Sequence, residues 1–235
     1  MTKIKISVEK LFELGAHFGH QVSRSNPKAK DFVYTQEGGV LIFDLPKTRE
    51  LLSEALLFLA KIAKEKKEIL FLGTKRQIKD KIKEVAQVSG SYFVNERWLG
   101  GTLTNFSQIK KSLEKLRDLK EKREKNEFGE YTKKERLLID REIARLENLF
   151  GGLLGMEELP AVLVVVDIRR EKTAVSEAKK TGVPTVAIVD SNSDPNLVDY
   201  PITMNDDSKE AVSYVLDLMA EVIKAARDGK KVEIE

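Results

Sequence analysis

Cysteine is absent, and its absence excludes a disulfide framework, a thiolate metal centre and a cysteine nucleophile. Histidine is nearly as scarce, with His17 and His20 the only two in 235 residues. Hydrolytic and redox chemistry therefore have little to work with, and no triad-like arrangement stands out. Neither a Walker motif nor the spaced glycines of a dinucleotide fingerprint occurs. No window approaches the roughly 18 apolar residues that a membrane span needs, and Met1-Thr2-Lys3-Ile4-Lys5 leads into mixed charge instead of an apolar run. These absences point to a soluble, unprocessed chain with little means for hydrolytic or redox catalysis and no membrane partner, and they suit a reducing cytoplasm.

Charge is abundant but unevenly placed. The 41 Lys and Arg against 38 Asp and Glu give a net charge of only +3. Residues 1–150 hold 31 cationic and 22 anionic side chains, whereas residues 151–235 hold 10 and 16. Such asymmetry suits a nucleic acid or another anionic surface on one side, although solvated helices also carry lysine.

Hydrophobic periodicity divides the chain into alternating strands and helices. A short helix from about Ser7 to Gly15, with Ser7 as its cap, precedes a basic loop. Val40-Leu41-Ile42-Phe43 has strand character, and Pro46 suits the first turn of a helix running to about Lys67. Ile69 to Leu72 predicts a second strand, Gln77 to Ser89 a helix, and Tyr92 to Val94 a third strand, making consecutive β-α-β units. Ala161 to Val166 and Thr185 to Val189 are apolar or nearly so throughout, as strands covered on both faces must be. They bracket a helix from Lys172 to Thr181; a short strand at Ile202-Thr203 and a helix from Ser208 to about Arg227 follow. The order predicts an α/β body, Rossmann-like or flavodoxin-like, with a mainly parallel sheet of about five strands between helices.

An inserted piece interrupts that alternation. Phe106, Ile109, Leu113 and Leu116, and then Ile139, Ile143, Leu146 and Phe150, fall at spacings of three and four, the pattern of a coiled-coil seam. Asn126 to Gly129 turns the chain, and Thr132-Lys133-Lys134-Glu135 matches a capping box. An antiparallel helical hairpin over 107–149 is expected to protrude from a body made of 1–106 and 150–235. Its 13 basic and 10 acidic residues suit a solvated arm, either purely structural or a lever against RNA or protein.

Asn95 to Phe106 joins the third strand to that arm and carries the only Trp, Trp98. Gly100 and Gly101 free the backbone, and Thr104 and Asn105 suit a helix cap, so the segment is expected to be a rigid structural joint. Elsewhere, His17, Asp190 and Asp206 are candidate metal ligands if the later loops bring the carboxylates to the histidines. A loop-anchoring hydrogen bond is the alternative for the imidazoles. Asp190 to Pro195 suits a divalent cation, as in a phosphotransferase using Asp190, Asp194 and Asp206, or an ordinary turn. Gly73-Thr74-Lys75-Arg76 follows a strand and opens a helix, a place for an anion. For RNA, the candidate cations are Arg24, Lys28 and Lys30 on the basic loop, Lys75, Arg76 and Arg97 beside strand ends, and Lys110 and Lys111 on the arm. Phe18 and Tyr34 suit base stacking or ordinary packing.

Several strings in order, His17-Phe18-Gly19-His20, Asn26-Pro27-Lys28, Gly73-Thr74-Lys75, Asn95 to Phe106, Asp199-Tyr200-Pro201-Ile202 and Asn205-Asp206-Asp207, closely resemble the bacterial small-subunit ribosomal protein S-two family. The resemblance covers most of residues 5–228. Ser25, Ser193 and Ile168 depart from its usual Trp, Cys and Pro. It implies an α/β body with a coiled-coil hairpin, binding to small-subunit ribosomal RNA at the junction of head and body, neighbouring ribosomal proteins, and help in docking the large protein S-one. It implies no homo-oligomer in the working state and no catalysis; no cofactor is expected beyond the structural divalent cation considered above. A metal-dependent phosphotransferase is the alternative from another class.

Overall fold

A computed structural model describes residues 2–129 and 131–235, so the expected 107–149 arm is described except at residue 130, and the reading of the extreme N-terminus excludes Met1. In chain order the elements are β1 (Thr2–Ile4), α1 (Val8–Glu13), β2 (Phe18–Gln21), β3 (Val33–Glu37), β4 (Val40–Phe43), α2 (Leu45–Lys64), β5 (Ile69–Leu72), α3 (Lys79–Ser89), β6 (Tyr92–Val94), α4 (Phe106–Glu124), α5 (Lys133–Phe150), β7 (Val162–Val166), α6 (Lys172–Thr181), β8 (Thr185–Val189), β9 (Tyr200–Thr203), α7 (Lys209–Arg227) and β10 (Val232–Ile234). Short 3₁₀ turns at Val22–Arg24 and Pro27–Phe32 shape the basic loop.

Five strands form the central sheet in the order β6-β5-β7-β8-β9, every pair parallel. Numbered within the sheet, that is 2-1-3-4-5, the flavodoxin-like order. Because side chains alternate across a strand, Ile69 and Phe71 enter one core with α2, α3 and α7, whereas Leu70 and Leu72 enter a second core with α4, α5 and α6. Helices on both faces explain why every residue of β7 and β8 is buried.

Val40–Phe43 corrects the expected sequence of units. It does not begin the parallel sheet but pairs antiparallel with β2 and β3 in a separate three-stranded sheet. The cause is local: Gly38 and Gly39 both take positive φ, 57° and 81°, the backbone of a two-residue hairpin turn that reverses the chain from β3 into β4. The parallel pairing of β1 with β10 was not expected either. Helix limits also shift. The helix expected from Gln77 starts at Lys79, and the one expected to reach Lys67 ends at Lys64, with Lys66 at φ 55° in the turn that follows. Ser7 caps α1 as expected, and Asp44 caps α2 with Pro46 in its first turn.

Helix α5 opens with the reciprocal capping box of Thr132 and Glu135. Ile109, Leu113 and Leu116 of α4 and Ile143, Leu146 and Phe150 of α5 are buried in the second core together with Leu70, Leu72 and Val94. Ion pairs Lys115–Glu142, Lys120–Glu147 and Arg123–Asp140 cross between the two helices.

Candidate nucleic-acid interface

Parallel strands carry their following loops to one edge of the sheet, and ligands of this topology sit where the strand order reverses, between β5 and β7. Here the chain's own side chains fill that crevice. Thr74 Oγ1 donates to Glu171, and Arg170 Nε donates to Thr74 Oγ1 at 2.7 Å. Lys75 Nζ lies 3.1 Å from Asp167, 2.6 Å from Asp206 and 2.8 Å from Asp207. Its side chain is only 11% exposed, so Lys75 is not one of the exposed cations. Gly73 likewise serves packing, since a Cβ there would stand 2.9 Å from Ile82 on α3.

The electrostatics of this edge are those of a crowded, desolvated cluster. Burial and the charges of Asp167 and Asp190 push Asp206 up to about 7, against the pull of Lys75. Burial disfavours the Lys75 ammonium, but Asp206, Asp207 and Asp167 more than offset it, and the net shift is upward. Burial also raises Glu171.

Asp190 accepts from the Ser191 amide and hydroxyl, from the Asp206 amide at 3.2 Å and from His20 Nδ1 at 3.0 Å. Its oxygens are thus already committed. His20 Nε2 faces the Asn192 side-chain amide at 3.0 Å, which suits the Nδ1–H tautomer, and the Asp190 hydrogen bond raises the imidazole pKa. His17 is elsewhere: its ring lies against Phe12 and Phe18, centroids 4.2 and 4.0 Å away, and burial lowers its pKa. The expected set His17, Asp190 and Asp206 is therefore not assembled, because His20 rather than His17 meets the carboxylates. Among the described residues no group of three or more His, Cys, Asp or Glu is arranged to hold a metal ion. The Lys75 ammonium occupies Asp206, one of the acids that a phosphotransferase would need for its cation, and Asp194 is taken by Lys28 and Asn196.

The basic loop does reach this edge. Asn26 N donates to Ser191 O at 2.7 Å, and Lys28 Nζ meets Asp194 at 2.7 Å. A Cβ on Gly19 would stand 2.8 Å from Ser191 Oγ, so only glycine lets β2 approach that closely. Arg24, Lys30, Arg76, Arg97 and Lys111 are exposed, and none has an ion-pair partner among the described residues. Lys110 leans over the Phe106 ring at 5.7 Å. Phe18 and Tyr34 are 49% and 76% exposed, open enough for stacking. Sequence reasoning missed Arg169 and Arg170, exposed cations directly after β7; their position after a buried strand was the available signal.

The joint from Trp98 to Asn105 is organised by a residue no motif had indicated. Glu177 of α6 accepts from Trp98 Nε1 at 3.2 Å, Gly101 N at 2.8 Å, Leu103 N at 3.0 Å, and the Thr104 amide and hydroxyl at 3.1 Å each. Gly101 takes φ 93°, as its free backbone suggested, whereas Asn105 does not cap α4 and instead accepts from the Ser107 hydroxyl.

The sequence matches the ribosomal protein S2 family over residues 11–226. The chain belongs to that family. Ribosomal protein S2 is a structural protein of the small subunit and takes part in translation, so this S2-family chain associates with ribosomal RNA and proteins. The match spans both the basic loop and the joint, and it lends no support to the phosphotransferase alternative. No helix among the described residues is long and apolar enough to cross a membrane.

Proposed function

We propose that this S2-family protein holds its place by binding small-subunit ribosomal RNA at the junction of head and body, and that it supports the docking of protein S-one. Family membership carries this reading, and the exposed Arg24, Lys30, Arg76 and Arg97 around a crevice already filled by the chain's own side chains support it. Arg169 and Arg170 join that surface, Lys28 contributes after release from Asp194, and Lys75 holds the edge together from beneath. Residues 107–149 act as a protruding antiparallel coiled coil inserted into a body of 1–106 and 150–235, with Lys110 and Lys111 at its base toward the RNA. The protein works in the cytoplasm as a single copy within the ribosome, without catalysis or a resident cofactor, and the acidic C-terminal part faces solvent or neighbouring proteins.

Co-sedimentation with small subunits stripped of their S2 protein, at two salt concentrations, tests the reading. Saturable one-to-one binding to stripped but not intact subunits is expected. Replacing Arg24 and Lys30 together with Ala should lower the log–log salt slope by about 1–2, as each released phosphate contact contributes somewhat less than one. An unchanged slope would remove the loop from the interface, and no binding by the folded protein would overturn the assignment of this surface.

A further inference from the structure

The Glu177 carboxylate is 6% exposed, yet among the described residues no cation pairs with it. Five neutral donors from one stretch of seven residues converge on its two oxygens instead. That stretch, Trp98 to Thr104, contains neither helix nor strand, and its own backbone bonds are confined to turns, Thr102 N to Leu99 O at 3.1 Å and Asn105 N to Gly101 O at 2.8 Å. Helix α4 begins two residues later at Phe106 with no side-chain cap. On the other side, Glu177 stands on a helix seated firmly in the second core through Ala174 and Ala178, both fully buried.

The α4–α5 pair has a second attachment, the apolar contacts of Ile109, Leu113, Ile143 and Leu146 in that core. Apolar burial is non-directional. It holds the helices down but fixes their direction less sharply than directed bonds do. Charge-assisted hydrogen bonds are directional and short-ranged, and here they bind the last residues before α4 to a rigid helix. We propose that Glu177 is a positioning residue: its carboxylate latches the Trp98–Thr104 joint and thereby sets the direction of the α4–α5 arm relative to the sheet. The latch itself is independent of the RNA reading; only its consequence for ribosome binding rests on that reading.

The latch explains why α6 presents a glutamate toward the core, where an apolar residue would otherwise be expected. It also explains the net lowering of the Glu177 pKa: burial raises it, but the amides of Gly101, Thr104 and Leu103 and the Trp98 indole outweigh burial. The folded joint thus favours the anion.

The cysteine-free chain allows a direct test. Spin labels on Leu57→Cys in α2 and Lys125→Cys at the end of α4, both exposed sites, report the arm's direction by pulsed dipolar spectroscopy. Hydrogen exchange at Gly101, Leu103 and Thr104 and emission from Trp98, the single tryptophan, report the joint. With Glu177→Gln, exchange at those three amides should rise at least tenfold and the distance distribution should broaden, while amides of α7 in the opposite core keep their wild-type protection. Acetate added to Glu177→Ala should restore the Trp98 emission, and chloride at equal ionic strength should not. Wild-type exchange and an unchanged distance distribution in Glu177→Gln would overturn the proposal, as would restoration by chloride. Should Glu177→Gln fail to fold, Thr104→Val removes one donor of five and should speed exchange at Leu103 about threefold; no change there overturns the latch equally. If Glu177→Gln broadens the distances yet binds stripped subunits as tightly as wild type, the latch stands and the arm's part in ribosome binding falls.

Discussion

Lys75 and Glu177 are both charges withdrawn from water in one α/β body, and the protein accommodates them in opposite ways. Lys75, beneath the carboxyl edge of the sheet, is surrounded by Asp167, Asp206 and Asp207. Glu177, beside the segment that leads into α4, meets only an indole, a hydroxyl and three backbone amides. Burial, together with neighbouring carboxylates that oppose one another's ionisation, drives Asp206 up to about 7 although a lysine touches it. Neutral dipoles stabilise one charge without creating a competing one, and they fix geometry because each bond has a direction. The first arrangement closes a crevice; the second aims a helix.

The largest test of this contrast is Lys75→Met. It leaves buried carboxylates without their cation, and loss of one member of such a cluster costs about 3–5 kcal/mol. Urea unfolding should show that loss, and a cost below about 1 kcal/mol would mean the acids do not depend on Lys75. Glu177→Gln should cost less, about 2–3 kcal/mol, since the amide still accepts from some donors and leaves others unmet. A larger loss than for Lys75→Met would reverse the comparison.

Dependence on pH separates the two sites by sign. Asp206 has a raised pKa, so its contribution is fully present below its unfolded value of 3.8 and is lost as pH rises through about 7. Glu177 has a lowered pKa, so its contribution is present above 4.5 and is lost as pH falls through its folded value. The stability difference between wild type and Asp206→Asn should therefore shrink from pH 4 to 7. That between wild type and Glu177→Gln should stay flat over the upper part of that range and fall only below it. Parallel curves would show that the two carboxylates share one environment. His20 gives a smaller, local signal: its NMR titration midpoint should drop in Asp190→Asn, because the Asp190 hydrogen bond is the first cause of its elevation.

The smallest stability effect is expected on the loop. Arg24→Ala with Lys30→Ala removes exposed cations without intramolecular ion pairs among the described residues, so folding stability should stay within about 0.5 kcal/mol. Affinity for stripped subunits should nevertheless fall. Unfolding by more than 1 kcal/mol would give the loop a structural role that the contrast with Lys75 denies it.

Much of the fold was legible because central parallel strands and amphipathic helices depend on local patterns. Val162 to Val166 and Thr185 to Val189 are apolar on both faces and lie where expected, and the capping box of Thr132 and Glu135 formed as its spacing predicted. The β3–β4 hairpin went unread although Gly38-Gly39 offered its signal, and the apolar run of β4 was assigned to the wrong sheet. Short strands such as β1 and β10 carry no usable period in three residues, and their pairing joins the two ends of the chain beside α7. Among site residues, Arg24 and Lys30 were readable as loop cations. Lys75 was not readable as a buried one, because its three carboxylate partners lie 92 to 132 positions away in sequence.

Composition and periodicity by themselves determined the layered α/β body, the two long charged helices, the excess of cations in the first 150 residues and the absence of cysteine chemistry. Tertiary structure alone decided which histidine meets Asp190, which lysine is exposed, and what Glu177 holds. The reason is physical: a side chain's hydrophobicity is carried in its own atoms, whereas the charge state and partners of a buried polar group depend on which distant loops the sheet delivers to the same edge.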